Sequence, residues 1–214
     1  MTVYNDGMSR YVNELFVHQD EGLKQAWENT PRLGLPAISV KPEEGRFLQV
    51  LVRACGVAKA VEIGTLGGFS GIWIARGLLP GGRLTTLEKE PRHAEVARAH
   101  FVAAGVADIV TIRVGDAHQS LRLMESERPF DFVFIDAEKP GYPEYFNWAL
   151  ENIRLGGLIA AHNAFRGGSV AGLRQADSFT EGMIAFNQQV AQESRVISTI
   201  FPAGDGTLLA VKIS

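Results

Sequence analysis

The apolar run DFVFI (131–135) stops at Asp136, and a second run, GLIAA (157–161), stops at His162 and Asn163. A carboxylate, an imidazole and an amide oxygen can each ligate a cation, and an imidazole also exchanges protons near neutral pH. If the two runs are neighbouring strands, these three side chains converge at the strand tips, with Lys139 three residues past Asp136. Two kinds of chemistry are then open: a divalent cation held by two oxygens and one nitrogen, or a buried His–Asp hydrogen bond with no metal.

A second group of residues has the types that hold a nucleoside. In VEIGTLGGFSGIWIA, Gly64, Gly67 and Gly68 stand between a strand-like and a helix-like stretch, which allows a tight turn and close approach of a ligand to backbone N–H groups. The pattern is not GxGxxG, and on its own it equally fits a turn kept for packing. Glu88 ends the next strand-like run, 24 positions beyond Gly64, where a carboxylate can accept hydrogen bonds from both hydroxyls of a ribose or stand as a solvated charge. Asp116, in VGDAH, ends the third run, in reach of an adenine amino group. Glu62 precedes the glycines within an apolar strand, and a carboxylate buried there needs partners.

Residues so scattered need a scaffold that brings strand ends together. Five short β-rich runs, KAVEI (59–63), RLTTLE (83–88), VTIRV (110–114), DFVFI and GLIAA, alternate with helical patterns. In EPRHAEVARAHFVAAG, Pro91 suits the first helical turn and Gly105 the C-cap; Pro42 and Gly56 bracket a second helix. Such alternation predicts βαβ units and a mostly parallel sheet covered on both faces. The end differs: VISTIF and TLLAVKI are separated only by PAGDG, too short for a crossover helix, so they predict an antiparallel hairpin at one edge. The expected fold is therefore α/β, a doubly wound seven-stranded sheet, and ligands in such sheets gather beyond the carboxyl ends of the strands.

The 214 residues suit a single domain, 1–214, in which residues 1–41 form one amphipathic helix and a loop, TPRLGLPAISVKP, that caps a site or meets a partner subunit. A composition of 46% hydrophobic and 21% charged residues indicates neither disorder nor a fibrous repeat. Net charge −3 offers no basic stripe for phosphate backbones, so a small molecule rather than nucleic acid is the expected partner. The lone Cys55, read as a buried packing residue, allows no internal disulfide and fits a reducing compartment. With no signal-like start and no run long enough to span a bilayer, a cytoplasmic protein away from membranes is expected. His18, His93, His100 and His118 read as ordinary surface or packing residues.

From about residue 36 to its end the chain resembles the catechol and caffeoyl-CoA type of S-adenosylmethionine-dependent O-methyltransferase. The resemblance rests on PEEGRFL, VEIGTLGGFSGIWIA, GRLTTLEKEP, GDA, FDFVFIDAEKPGYPEYF, LGGLIAAHNAFRGGSV and FPAGDGTLLAVK occurring in that order. It implies a seven-stranded Rossmann-like fold and S-adenosylmethionine at the glycine turn. Matched position by position, Val40, Glu62, Gly64, Thr65, Gly68 and Ser70 would line the methionine and ribose part, Glu88 the ribose hydroxyls, Asp116 and Ala117 the adenine, with Asp136 beside the cofactor. Asp136, His162 and Asn163 match the family's divalent-cation ligands, usually for magnesium, and Lys139 matches its catalytic lysine. The resemblance also implies a hydroxylated aromatic acceptor of catechol type and a homodimer, for which Tyr11, Leu15 and Phe16 offer a surface.

This chain departs from the family at 162, where histidine replaces a second carboxylate and weakens the case for an oxygen-seeking ion such as magnesium over a manganese-like one. Three outcomes are open: a shifted metal preference, a metal-independent enzyme with His162 as base, or a noncatalytic S-adenosylmethionine-binding protein. Arg166, in AFRGG, sits near the expected acceptor mouth. A nucleotide-binding oxidoreductase would share the sheet, but lacks support from the glycine pattern and the terminal hairpin.

Overall fold

The computed structural model describes residues 4–214. Among these, eight α-helices and seven strands follow in the order α1 (Asp6–Phe16), α2 (Glu21–Arg32), α3 (Pro42–Ala54), β1 (Lys59–Ile63), α4 (Phe69–Gly77), β2 (Arg83–Glu88), α5 (Pro91–Ala103), β3 (Val110–Val114), α6 (Ala117–Met124), β4 (Phe130–Ile135), α7 (Tyr142–Asn152), β5 (Ile153–Ala161), α8 (Thr180–Gln192), β6 (Val196–Phe201) and β7 (Thr207–Lys212). The seven strands form one sheet in the order β3-β2-β1-β4-β5-β7-β6. Only β7 runs antiparallel to its neighbours β5 and β6. This is the doubly wound sheet with an antiparallel finish that the alternation of strand and helix patterns predicts. Its chain packs as two compact units, one of residues up to Lys59 with Thr65–Asp116, the other of Ala60–Gly64 with Ala117–Ser214.

In the first unit, β2 and β3 pair in parallel from Leu84–Val110 to Glu88–Val114. Pro91 opens α5 and Gly105 follows it at φ +68, the left-handed position that glycine takes without steric cost. Every residue of α4 except Arg76 is buried, so this helix lies inside the unit rather than on its surface. Gly45 of α3 makes that possible, because a Cβ there would collide with the ring of Trp73. The amino end departs from the expected single helix and loop: Asp20 accepts a hydrogen bond from the N–H of Leu23 at 3.1 Å and starts a second helix, which runs through Thr30 and Pro31. Cys55 is half-buried, not enclosed as its residue type suggested.

In the second unit, β1, β4 and β5 are parallel and level: Ile63 pairs with Ile135, and Ile135 with Ala161. Phe132, Val133, Phe134 and Ile135 are all essentially inaccessible, as a strand covered on both faces must be. Each such phenylalanine contributes roughly 2–3 kcal/mol of burial free energy. The helices on top supply Tyr142, Phe146 and Phe186, packed edge to face with ring centroids 5.4 and 6.1 Å apart. Strand β5 begins at Ile153, four residues before the expected start. Gly156 and Gly157 both sit inside it, with Gly156 at φ +71, where the β4–β5 register slips between Phe130 and Phe132. No helix among the described residues is long and apolar enough to cross a membrane.

Candidate active site

The level ends of β1, β4 and β5 decide where the chemistry collects. One step beyond the paired row, the N–H of Asp136 donates to Ile63 O at 2.9 Å and the N–H of His162 to Ile135 O at 3.0 Å, so Gly64, Asp136 and His162 form the next row. Gly64 stands at φ +101, and a Cβ on it would run into the carbonyl of Asp136. Among the described residues, three non-glycines adopt positive φ: Leu66 (+48), Asn163 (+59) and Arg166 (+49). All three lie in the turns after β1 and β5. Side chains in that region are strained by about 1 kcal/mol or more, and such strain gathers at functional turns.

Within the second unit, Asp136, Lys139, His162 and Asn163 are brought together as expected. His162, 5% exposed, has its Nδ1 3.4 Å from Asp136 Oδ2. Lys139 Nζ donates to Asn163 Oδ1 at 2.9 Å, Ala137 O at 3.2 Å and Asp136 Oδ1 at 3.5 Å. Burial works to raise the Asp136 carboxyl, but the neighbouring His162 and then Lys139 outweigh it and hold the group below the ordinary carboxylate range. Burial also pushes Lys139 below the ordinary lysine value, against the pull of Asp136. Glu62, in register with Phe134, is fully buried.

Two partners in this cluster escaped the sequence analysis. Tyr142 opens α7, wholly buried, and its Oη lies 2.5 Å from Lys139 Nζ while its hydroxyl donates to His162 O at 3.1 Å. Burial pushes this phenol well above its ordinary value, so it stays protonated. Asp205, in the β6–β7 turn, accepts from Asn163 Nδ2 at 3.0 Å and from the N–H of Gly167. Its Asp-Gly step read only as a hairpin turn. Tyr142 had no reading of its own in the sequence, where it stands only within FDFVFIDAEKPGYPEYF.

The glycine turn and Glu88 belong to the first unit. Glu88, 7% exposed, accepts N–H hydrogen bonds from Thr65 at 3.2 Å and Leu66 at 2.7 Å on one oxygen and from Glu90 at 2.9 Å on the other. The sequence suggested a ribose carboxylate; the structure adds that this carboxylate pins the turn. His93, unassigned from the sequence, is 3.4 Å from Glu88 Oε1. Thr65 is buried and its hydroxyl meets that of Thr86 at 2.5 Å. Gly67 has room for no Cβ because Thr30 of α2 backs it, and its carbonyl meets the buried His100 at 2.8 Å, a packing role as expected. Gly68, whose N–H donates to Thr65 O at 2.8 Å, precedes α4 at φ +81, with Ser70 in the first turn of the helix. Val40 is buried just before α3, and Asp116 is exposed two residues past the Glu88–Val114 pair. In the second unit Ala117 opens α6, and the adjacent His118 stacks on Tyr145 with centroids 4.7 Å apart.

The divalent cation implied by the resemblance meets an unsuitable donor set. Asp136, His162 and Asn163 offer one negative charge between them, and the oxygens of Asp136 and Asn163 already converge on the Lys139 ammonium. Among the described residues no group of three or more His, Cys, Asp or Glu side chains is placed to hold an ion. A hard cation such as magnesium, which seeks several oxygen ligands, does not fit here.

Comparison with known proteins agrees with the fold. The family model described as "O-methyltransferase" matches residues 13–213. A catechol O-methyltransferase of Niastella koreensis is 41% identical over 197 residues, 91% of this chain and 89% of that protein. One from Mycobacterium tuberculosis is 43% identical over 160 residues, 75% and 72% of the two chains. Among solved structures, the Bacillus cereus O-methyltransferase in complex with S-adenosylhomocysteine superposes with TM-score 0.89 at 39% identity, covering 96% of this chain and 97% of that one. The O-methyltransferase TomG of Streptomyces achromogenes, in complex with S-adenosylmethionine, gives 0.87 at 37% identity, covering 97% and 96%. This chain therefore belongs to the O-methyltransferase family, enzymes that take the methyl group from S-adenosylmethionine.

Proposed function

We propose that this enzyme transfers the methyl group of S-adenosylmethionine to a hydroxyl of a small, catechol-like phenol. The observation that carries this reading is the row of strand ends, in which Gly64 abuts Asp136 while Lys139 and His162 both contact the Asp136 carboxylate. The names of the two catechol O-methyltransferase relatives support the acceptor class. In the reading, the glycine turn and Glu88 hold the nucleoside and the methyl-bearing sulfonium lies next to Gly64.

Methyl transfer is an in-line displacement, so the phenolic oxygen must be aligned and deprotonated. His162, with Nδ1 3.4 Å from the Asp136 carboxylate, is the group that takes the phenol's proton in this reading. The phenolate oxygen then forms its bond to the methyl carbon as the carbon–sulfur bond breaks, and that electron pair stays on sulfur as a neutral thioether. Lys139 supplies positive charge beside the developing phenolate, whose negative charge disappears as the ether forms while the ammonium keeps its proton. No step is assigned to a metal ion, because the donor set does not suit one.

The homodimer is supported by α1, which buries none of its residues and exposes Tyr11, Leu15 and Phe16 by half or more. Incubation with S-adenosylmethionine and catechol, followed by mass spectrometry, tests the function: guaiacol and S-adenosylhomocysteine should appear in equal amounts. Cofactor binding without methylation of any phenol would reduce the protein to a binding module.

A further inference from the structure

We propose that Lys139 is a built-in cation that replaces the divalent metal, so that the enzyme methylates phenols without added metal and without needing a second, vicinal hydroxyl. The proposal rests on the phenolic O-methyltransferase reading above and adds both the source of positive charge and a wider acceptor class.

The lysine is held by groups that can only accept from it. The hydrogen of Tyr142 is committed to His162 O at 3.1 Å, so the phenolic oxygen faces Nζ at 2.5 Å as an acceptor. Asn163 has its amide orientation fixed from behind: Nδ2 donates to Asp205 at 3.0 Å, which leaves Oδ1 toward the ammonium at 2.9 Å. The left-handed backbone at Asn163, φ +59, is part of that aim. The side chain of Lys139 is only 13% exposed and also lies over the Tyr142 ring, 4.5 Å from its centroid. A nitrogen so surrounded is a fixed point charge, not a mobile surface amine.

Two oxygens that the resemblance would give to a metal, those of Asp136 and Asn163, both reach this one nitrogen. The charges acting on this nitrogen and on the Tyr142 hydroxyl beside it are Arg166, Asp136, Asp205 and Glu138, so with Lys139 the cluster holds two cations and three anions. A divalent cation would have to evict the ammonium to reach the same oxygens. Histidine at 162 adds no further anion, where a second carboxylate would.

The difference matters for the acceptor. A divalent ion offers several coordination positions and chelates two adjacent oxygens, which makes the vicinal hydroxyl part of recognition. The ammonium has two protons on short hydrogen bonds, to Tyr142 and Asn163, and a third shared between the longer contacts to Ala137 O and Asp136. That third proton can turn to one phenolic oxygen, and one oxygen suffices. The chemistry stays balanced: the phenol's proton leaves to the base, the ammonium keeps its own, and the methyl passes from sulfur to oxygen.

The test uses the full-length enzyme stripped with a strong chelator and supplied with S-adenosylmethionine and either catechol or phenol. Methyl ether and S-adenosylhomocysteine are quantified with and without manganese, and manganese binding is followed separately by electron paramagnetic resonance of the free ion. The expected result is an unchanged rate on restoring manganese, turnover of both acceptors, and no manganese bound at micromolar concentrations. Lys139→Gln should lower kcat at least about 100-fold with S-adenosylhomocysteine affinity intact, and millimolar ammonium ion should restore part of the rate. Tyr142→Phe, which removes an anchor and not the charge, should lower kcat less than Lys139→Gln does.

Turnover that appears only with manganese, together with tight manganese binding, overturns the proposal while leaving the phenolic reading standing. Turnover of catechol but not phenol in metal-free enzyme removes the wider acceptor class. Failure on both acceptors, with and without manganese, removes the phenolic reading and this proposal with it.

Discussion

The α-carbon of Gly64 faces the carbonyl oxygen of Asp136 with no room for a side chain between them. The end of β1 and the end of β4 are therefore locked together at the point where the proposed reading brings cofactor and acceptor together. Gly64→Ala meets both that collision and an unfavourable φ of +101. It should abolish S-adenosylhomocysteine binding in calorimetry. Gly81→Ala is the control: it shares a positive φ of +79 but has open space around it, so it should cost about 1 kcal/mol of stability and leave binding unchanged.

Glu88 pins the glycine turn and, in the proposed reading, also holds the ribose; one substitution separates the two. The carboxylate accepts three backbone N–H groups, two of them from the glycine turn. Glu88→Gln keeps the shape but converts one acceptor to a donor, which should weaken S-adenosylhomocysteine binding by about 2 kcal/mol, roughly 30-fold. Amide exchange at Thr65 and Leu66 should quicken at the same time. Weaker binding with unchanged exchange would confine Glu88 to the ribose.

Acid should weaken the site through Asp136. His162 and Lys139 overcome the cost of burying this carboxyl and hold it below its ordinary range, so the folded state binds a proton less readily than the unfolded chain does. The stabilisation is complete above the ordinary carboxylate value, about pH 4, and is lost as pH falls through the lower native value. Urea unfolding across acidic pH should show a shallower decline for Asp136→Asn than for the wild type.

His162 is expected to matter for the chemical step and not for cofactor affinity. His162→Ala should lower kcat by about 10²–10⁴-fold, the range of a general base, with S-adenosylhomocysteine binding within a factor of a few. His162→Asp restores a second carboxylate and should create measurable manganese binding that the wild type lacks. An alanine variant with the full rate would leave His162 only a structural partner of Asp136.

The succession of strands and helices along the chain and the glycine turn were legible because each rests on local signals: β-branched runs, Pro91 at a helix start, glycines where φ is positive. Asp136, His162 and Asn163 were legible because each directly follows an apolar run, and parallel pairing then sets them level. What stayed hidden depends on contacts made by folding. Tyr142 looks like any helix-opening aromatic until Lys139 is seen 2.5 Å away, and Asp205 lies 42 positions from the Asn163 amide that it fixes. The extension of β5 back to Ile153 was not legible because it passes through Gly156 at positive φ, where the register with β4 shifts. The helix at Glu21–Arg32 was masked by Pro31, tolerated because it falls in the final turn.

The central claim is that the sulfonium methyl passes to a phenolic oxygen held beside Lys139 and His162. Carbon-13 labelled at the methyl of S-adenosylmethionine follows that transfer atom by atom. The account predicts a labelled methyl ether on the acceptor, one for each S-adenosylhomocysteine formed, from enzyme treated with chelator. Label retained on the cofactor while acceptor and cofactor are both bound, or transferred to any atom other than a phenolic oxygen, would contradict it.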